Sequence, residues 1–252
     1  MRMSCPTTSR RRRLRVPLHA ALALVLFDSV GVCGAQGLPW SATVALTSDY
    51  VFRGVSQTYG EPALQGSVNY QSPVGWFAGA WGSNVQPYPF GVHAAEVNLY
   101  GGFVRALGSE WTARATYTRY LYAWDQRRVP YDYGELSLTL AFEDRLAATV
   151  SYQPDSTRYA IPGYIRDRPA TAYELSGRWP LPRNFALTAG VGYYDLTRLY
   201  GVSYWSGSTG ASYLHGRFEF DVARFFAEPG VRRLFEDASA DGSWVATVLY
   251  RF

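Results

Sequence analysis

The sequence predicts an all-β protein, an antiparallel up-and-down transmembrane β-barrel of about twelve strands. Three observations predict it. Beyond residue 35, apolar and polar residues alternate with period two, the pattern of a strand with one apolar and one polar face. The connections between these runs alternate between short and long, and aromatic residues collect beside the short ones. A sheet in hydrocarbon must close on itself, because unpaired backbone groups find no water there. One face of every strand then turns to a lumen, which explains a mean hydropathy of only −0.14 in a membrane-spanning chain.

Residues 1–35 read as a secretory signal peptide, leaving a barrel over residues 36–252. Arg10 to Arg13 with Arg15 form a basic region, Val16 to Phe27 an apolar run, and Val32-Cys33-Gly34-Ala35 a cleavage site before Gln36, the order expected of an export leader. The run is shorter than the roughly 20 residues of a spanning helix. Ser9-Arg10-Arg11 offers a twin-arginine reading, disfavoured because a barrel is delivered unfolded. Bulky Val32 disfavours lipoprotein processing at Cys33. All 24 basic residues are Arg; six of them and one of the 20 acids lie in residues 1–35. The remaining 18 Arg against 19 acids leave no basic surplus, so nucleic acid is not an expected partner. Cys5 and Cys33 leave with the leader, excluding disulfides and thiolate metal sites from the barrel.

The first strand is expected from Trp40 to Arg53, with Ala42, Val44, Leu46, Tyr50 and Phe52 on its apolar face. The next follow at Ala63–Gln71, Trp76–Val85, His93–Arg105, Trp111–Tyr122, Asp132–Phe142, Arg145–Gln153, Ala170–Trp179, Phe185–Asp195, Tyr204–Tyr213, Arg217–Phe225 and Asp241–Phe252. Most have the length of a tilted strand crossing a bilayer. Five short turns (72–75, 106–110, 143–144, 180–184, 214–216) alternate with six longer loops (54–62, 86–92, 123–131, 154–169, 196–203, 226–240), the asymmetry of short periplasmic turns and long extracellular loops. Tyr70, Trp76, Phe103, Trp111, Phe142, Trp179, Phe185, Tyr213 and Phe218 flank the short turns, as in an interfacial girdle. In the last strand, Trp244, Ala246, Val248, Tyr250 and Phe252 alternate. Trp244, Tyr250 and Phe252 resemble the membrane-insertion signal that barrel-assembly machinery reads, whereas an ordinary C-terminal strand of a soluble sandwich is the competing reading.

Ser48-Asp-Tyr-Val-Phe-Arg-Gly-Val-Ser-Gln-Thr58, with Pro62-Ala-Leu-Gln-Gly66, Gly79-Ala-Trp-Gly-Ser-Asn-Val85 and Glu96-Val-Asn-Leu-Tyr-Gly-Gly102, resembles the TorF family of small proteobacterial porin-like proteins. The resemblance covers about the first 60 residues of the mature chain. It implies an outer-membrane barrel of poorly defined activity and carries over no catalytic residue.

By parity, the pore-lining candidates are Asp49, Arg53, Glu96, Arg114, Glu135, Glu174, Arg178, Glu219 and Asp221, joined by Arg251. Charges are costly toward lipid, so their common placement supports the register. Asp49 and Arg53 are expected to face one lumen end as an ion pair. The signs are mixed, with a slight acidic excess that favours cations weakly. Arg119 and Arg224 break parity near the loop ends, where long side chains snorkel. Inward Arg and Glu that pair across the barrel would fill a small lumen, and the loop from Pro154 to Pro169 is the expected blocking segment.

Only His93 and His215 remain beyond the leader, at opposite strand ends, so no joint metal site is expected, and neither sits in a nucleophile motif. Without Lys the chain has no Walker-A site and no Schiff base. No enzymatic activity and no cofactor are expected; a lipid-modifying barrel enzyme is the rival from another class. The expected function is a narrow outer-membrane channel for passive diffusion of small hydrophilic solutes or ions. The alternative is a non-conducting barrel with a structural or ligand-binding role through its loops. Outer-membrane lipid, the assembly machinery and small solutes are the expected partners.

Overall fold

The computed structural model describes residues 39–89, 91–124, 131–143, 145–159, 164–235 and 238–252. The leader assigned to residues 1–35 lies outside the described residues. Among those described, twelve strands close into one antiparallel barrel. Its first two strands are β1 (Trp40–Thr47) and β4 (Ala63–Gln71), and the small hairpin of β2 (Val51–Phe52) and β3 (Val55–Ser56) stands apart between them. The wall continues through β5 (Trp76–Val85), β6 (Ala94–Leu107), β7 (Trp111–Ala123), β8 (Tyr133–Phe142), β9 (Leu146–Tyr159) and β10 (Tyr164–Pro180). It ends with β11 (Phe185–Leu196), β12 (Val202–His215), β13 (Phe218–Ala227) and β14 (Trp244–Arg251). Two short helices, α1 (Thr197–Tyr200) and α2 (Pro229–Phe235), lie in the long loops. Each barrel strand pairs with its sequence neighbours, and β1 closes the ring on β14 with Thr43 opposite Arg251 and Thr47 opposite Thr247. No described helix is long and apolar enough to cross a membrane.

The period-two pattern sorts side chains as expected. Val44, Leu46, Val68, Leu136, Leu138, Val150, Leu175, Leu187, Val191 and Val222 form an exposed apolar exterior, the band that lipid would cover. Inward hydroxyls pair across neighbouring strands: Thr43 with Ser67, Ser137 with Ser151 at 2.8 Å, Thr139 with Thr149 at 2.9 Å, and Thr247 with Thr47. Such cross-strand pairs satisfy polar groups and hold register. At the short-turn end the outward rings meet between strands: Trp40 on Tyr70, Trp76 on Phe103, Trp111 on Phe142, Phe185 on Tyr213 and Phe218 on Tyr250, with centroids 4.8 to 5.1 Å apart.

Two expectations need correction. The first strand does not reach Arg53. It stops at Thr47, where the Ser48 amide donates to the Ala246 carbonyl and the Ala246 amide donates back to the Ser48 hydroxyl. From there residues 49–59 turn inside the barrel. Continued as a wall strand, this segment would send Tyr50 and Phe52 to lipid; folded inward, Tyr50 and Val51 become buried and its polar groups find partners. The second correction concerns Pro154 to Pro169, expected as a long loop and a blocking segment. Most of it extends the β9–β10 hairpin, with Ser156 opposite Arg168 and Gln153 opposite Ala170. Register shifts between Ile165 and Ala170 accommodate Pro169, which has no amide for a ladder.

Candidate functional site

The segment entering the lumen is a tight hairpin. Phe52 pairs with Val55, leaving Arg53 and Gly54 as a two-residue turn with φ of +51° and +78°. A two-residue hairpin of this kind requires positive φ at both positions, conformations that glycine takes freely and other residues pay for. Gly54 also lies close against the wall: a Cβ there would stand 2.6 Å from Ser206 Cβ of β12. The turn thrusts the Arg53 side chain across the barrel axis.

Arg53 donates from Nη1 to Glu135 Oε2 at 2.8 Å and from Nη2 to Glu174 Oε2 at 3.3 Å, bridging β8 and β10. Its guanidinium also lies 4.7 Å from the Phe52 ring centroid and 5.4 Å from that of Tyr194, within cation–π range. The carboxylates are held in turn: Gln153 and Ser137 donate to Glu135, and the Tyr194 hydroxyl donates to Glu174 at 3.0 Å. A guanidinium stays protonated in proteins, so the two carboxylates face a permanent charge.

The rest of the hairpin is tied down as firmly. Asp49 accepts from the Ser56 hydroxyl at 2.6 Å and the Thr58 hydroxyl at 2.8 Å. Tyr50 donates to Glu96 and packs edge-on against Trp81, while Asn98 donates to the same Glu96 oxygen. The Tyr204 hydroxyl donates to the Arg53 carbonyl at 3.0 Å. From above, Val55 packs with Val231 of α2 and Ala238, and the Ala240 amide donates to the Gly54 carbonyl.

Phe52 and Arg53 border two spaces. On the loop side is a vestibule of about 190 Å³ whose lining includes Tyr122, Tyr133, Tyr194 and Tyr204. Below Arg53, a cavity of about 60 Å³ runs past Glu135, Glu174, Tyr120 and Arg114. At the short-turn end Arg178 reaches Ser212 at 3.0 Å and lies 3.7 Å from Glu219, which also pairs with Arg251. Asp221 is buried beside them, and Arg114 covers the Phe77 ring at 4.4 Å. The interior therefore has an acidic outer layer (Asp49, Glu96, Glu135, Glu174 around Arg53) and a more basic inner layer (Arg114, Arg178, Arg251 with Glu219, Asp221).

All nine residues predicted by parity thus lie inside the barrel, but not as drawn from the sequence. Asp49 and Arg53 sit on the inserted hairpin instead of on β1. They do not pair with each other, because Arg53 is carried past Asp49 to the far wall. Arg119 and Arg224 are outside: Arg119 donates to Asp155 at 2.8 Å and Arg224 lies over Trp244. Trp244 and Phe252 are exposed on the outer surface, and Tyr250 contacts Phe218 and Phe252 there. His93 precedes β6 at the loop end and His215 closes β12 at the turn end. Among the described residues no group of three or more acids or histidines is arranged to hold a metal ion. Sequence reasoning overlooked the inward tyrosines. Parity marks them: Tyr133 shares the face of Glu135, Tyr194 that of Thr188, and Tyr120 and Tyr122 that of Arg114.

Comparison with known proteins agrees on the architecture. The barrel is similar to the NanC porin with a TM-score of 0.53 at 9% identity, covering 84% of this chain and 98% of that one. It is also similar to the KdgM porin in complex with disordered oligogalacturonate (TM-score 0.46, 8% identity, 84% and 98% covered). The translocator domain of autotransporter NalP from Neisseria meningitidis gives 0.45 at 12% identity, covering 86% and 90%. No curated protein matches the sequence. A family model described as a bacterial protein of unknown function, Gcw_chp, matches residues 33–228. It carries that description and not the TorF name suggested by residues 48–102.

Proposed function

The chain belongs to the Gcw_chp family of bacterial proteins of unknown function, and on that premise we propose that it is an outer-membrane channel for small hydrophilic solutes or ions. The observation that carries this reading is the closed barrel whose exterior is apolar and whose interior holds charged side chains around two cavities that both border Phe52 and Arg53 of the inserted hairpin. Lipid outside and water inside are the two solvents that satisfy both faces. The fold shared with the NanC porin is consistent with it. In this reading residues 1–35 direct export and are removed, and Trp244, Tyr250 and Phe252 on the outer face of the last strand guide insertion by the assembly machinery. Asp49, Arg53, Glu96, Arg114, Glu135, Glu174, Arg178, Glu219 and Asp221 line the path.

The inserted hairpin favours a second reading, a barrel that does not conduct and binds a ligand in its tyrosine-lined vestibule. Planar-bilayer recording separates the two. The refolded protein is expected to give small discrete conductance steps. Silent bilayers, with folding verified by heat-modifiable gel mobility, overturn the channel.

A further inference from the structure

Arg53 is a side chain of this chain, yet it is held as a receptor holds a ligand. Its planar fork meets one carboxylate on β8 and another on β10, at 2.8 and 3.3 Å. On the wall side the Tyr194 ring lies 5.4 Å from its charge, and each carboxylate is oriented by its own donors. Lift the hairpin, and what remains is a preformed pocket with a double negative charge between the outer vestibule and the inner cavity. Glu96 on β6 adds to the acidity of the same layer. The occupant is one side chain, carried on a two-residue turn that holds a non-glycine at positive φ.

We propose that the cradle of Glu135, Glu174 and Tyr194 is a binding site for small organic guanidinium solutes, and that Arg53 occupies it as an internal competitor. This deepens the channel reading by naming a substrate class, and it rests on that reading only for transport. An entering guanidinium replaces both hydrogen bonds of Arg53 without leaving a carboxylate unpaired, so exchange avoids the cost of exposing two buried anions to each other. A compact ammonium cannot span both carboxylates with a planar fork. A neutral sugar would leave both charges uncompensated.

The test uses the full-length protein refolded in lipid, as wild type, Arg53→Ala, and Arg53→Ala combined with Glu135→Gln and Glu174→Gln. The alanine variant vacates the guanidinium site, and methylguanidinium chloride is the probe. Calorimetric titration is expected to show methylguanidinium binding to Arg53→Ala at least tenfold tighter than methylammonium, and at least tenfold tighter than to the triple variant. In planar bilayers Arg53→Ala is expected to conduct more than wild type, and millimolar methylguanidinium to restore the lower conductance. Equal binding to Arg53→Ala and the triple variant, or no preference over methylammonium, overturns the site. Binding in a barrel that never conducts leaves the site standing and removes the channel. Conduction without guanidinium-selective binding does the reverse. Should Arg53→Ala not refold, Arg53→Gln, which is shorter and uncharged but keeps a polar aliphatic stem, is titrated in its place.

Discussion

Leu138→Arg on the outer wall is expected to cost about 2–4 kcal/mol of folding stability, the cost of a cation at the middle of the lipid face. Leu138 lies on the outward face of β8, 62% exposed, opposite Ala115 on β7 and Val150 on β9. It is four residues from Phe142, whose ring meets Trp111 at a tilt in the short-turn girdle. At about 3.4 Å per residue that is roughly 14 Å along the strand. With a tilt of about 40° the depth below the girdle is roughly 11 Å, close to the middle of an apolar band about 25 Å tall. Snorkelling from there is short of the interface, so the upper half of the range applies. The neighbouring Thr139→Arg places the same charge one residue further along, on the inward face beside Thr149, where water and carboxylates can meet it. Equilibrium unfolding in urea from lipid vesicles, followed by tryptophan fluorescence, measures both. A loss from Leu138→Arg at least about 2 kcal/mol larger than from Thr139→Arg is expected. Equal losses, or the larger loss at position 139, would refute the claim that the apolar face meets lipid.

Three further outcomes follow from the hairpin and the last strand. Gly54→Ala combines a positive φ with a Cβ only 2.6 Å from Ser206 Cβ; the backbone alone contributes about 1–2 kcal/mol. Amide exchange of residues 50–56 should therefore accelerate by roughly tenfold or more, while Gly60→Ala, at φ +80° in open space, leaves those amides protected. Tyr204→Phe removes the donor to the Arg53 carbonyl and is expected to weaken hairpin docking by about 1 kcal/mol, visible in the same exchange experiment with global stability unchanged. Phe252→Ala is expected to lower the amount of assembled barrel in cells several-fold. Because Phe252 is 68% exposed, unfolding of the purified barrel should shift by less than about 1 kcal/mol, and a large shift would make its role structural.

The register of the wall was legible because each outward or inward choice repeats every second residue and is enforced by solvent on both sides. Glu96, Glu135, Glu174 and Arg178 could be placed inside from parity alone. Ring pairs such as Trp111 with Phe142 were legible for the same reason, since interfacial aromatics sit beside the short turns. The pattern failed at residues 48–53, where Tyr50 and Phe52 continue the alternation of Val44 and Leu46. Local sequence there fits a strand either in the wall or inside the lumen. It failed again at Pro154 to Pro169, where prolines and charges read as a loop but the hairpin continues through register shifts.

By itself, then, the amino-acid order determined a closed twelve-stranded wall, its apolar outside, its charged inside and which end carries the short turns. These follow from period-two patterning, which depends only on neighbours in the chain and on the solvent each face meets. The tertiary structure alone decided that residues 49–59 fold inward and that Arg53 bridges Glu135 and Glu174. Those carboxylates lie 82 and 121 residues away in sequence. Only barrel closure brings their strands around a common axis, where a guanidinium can satisfy both.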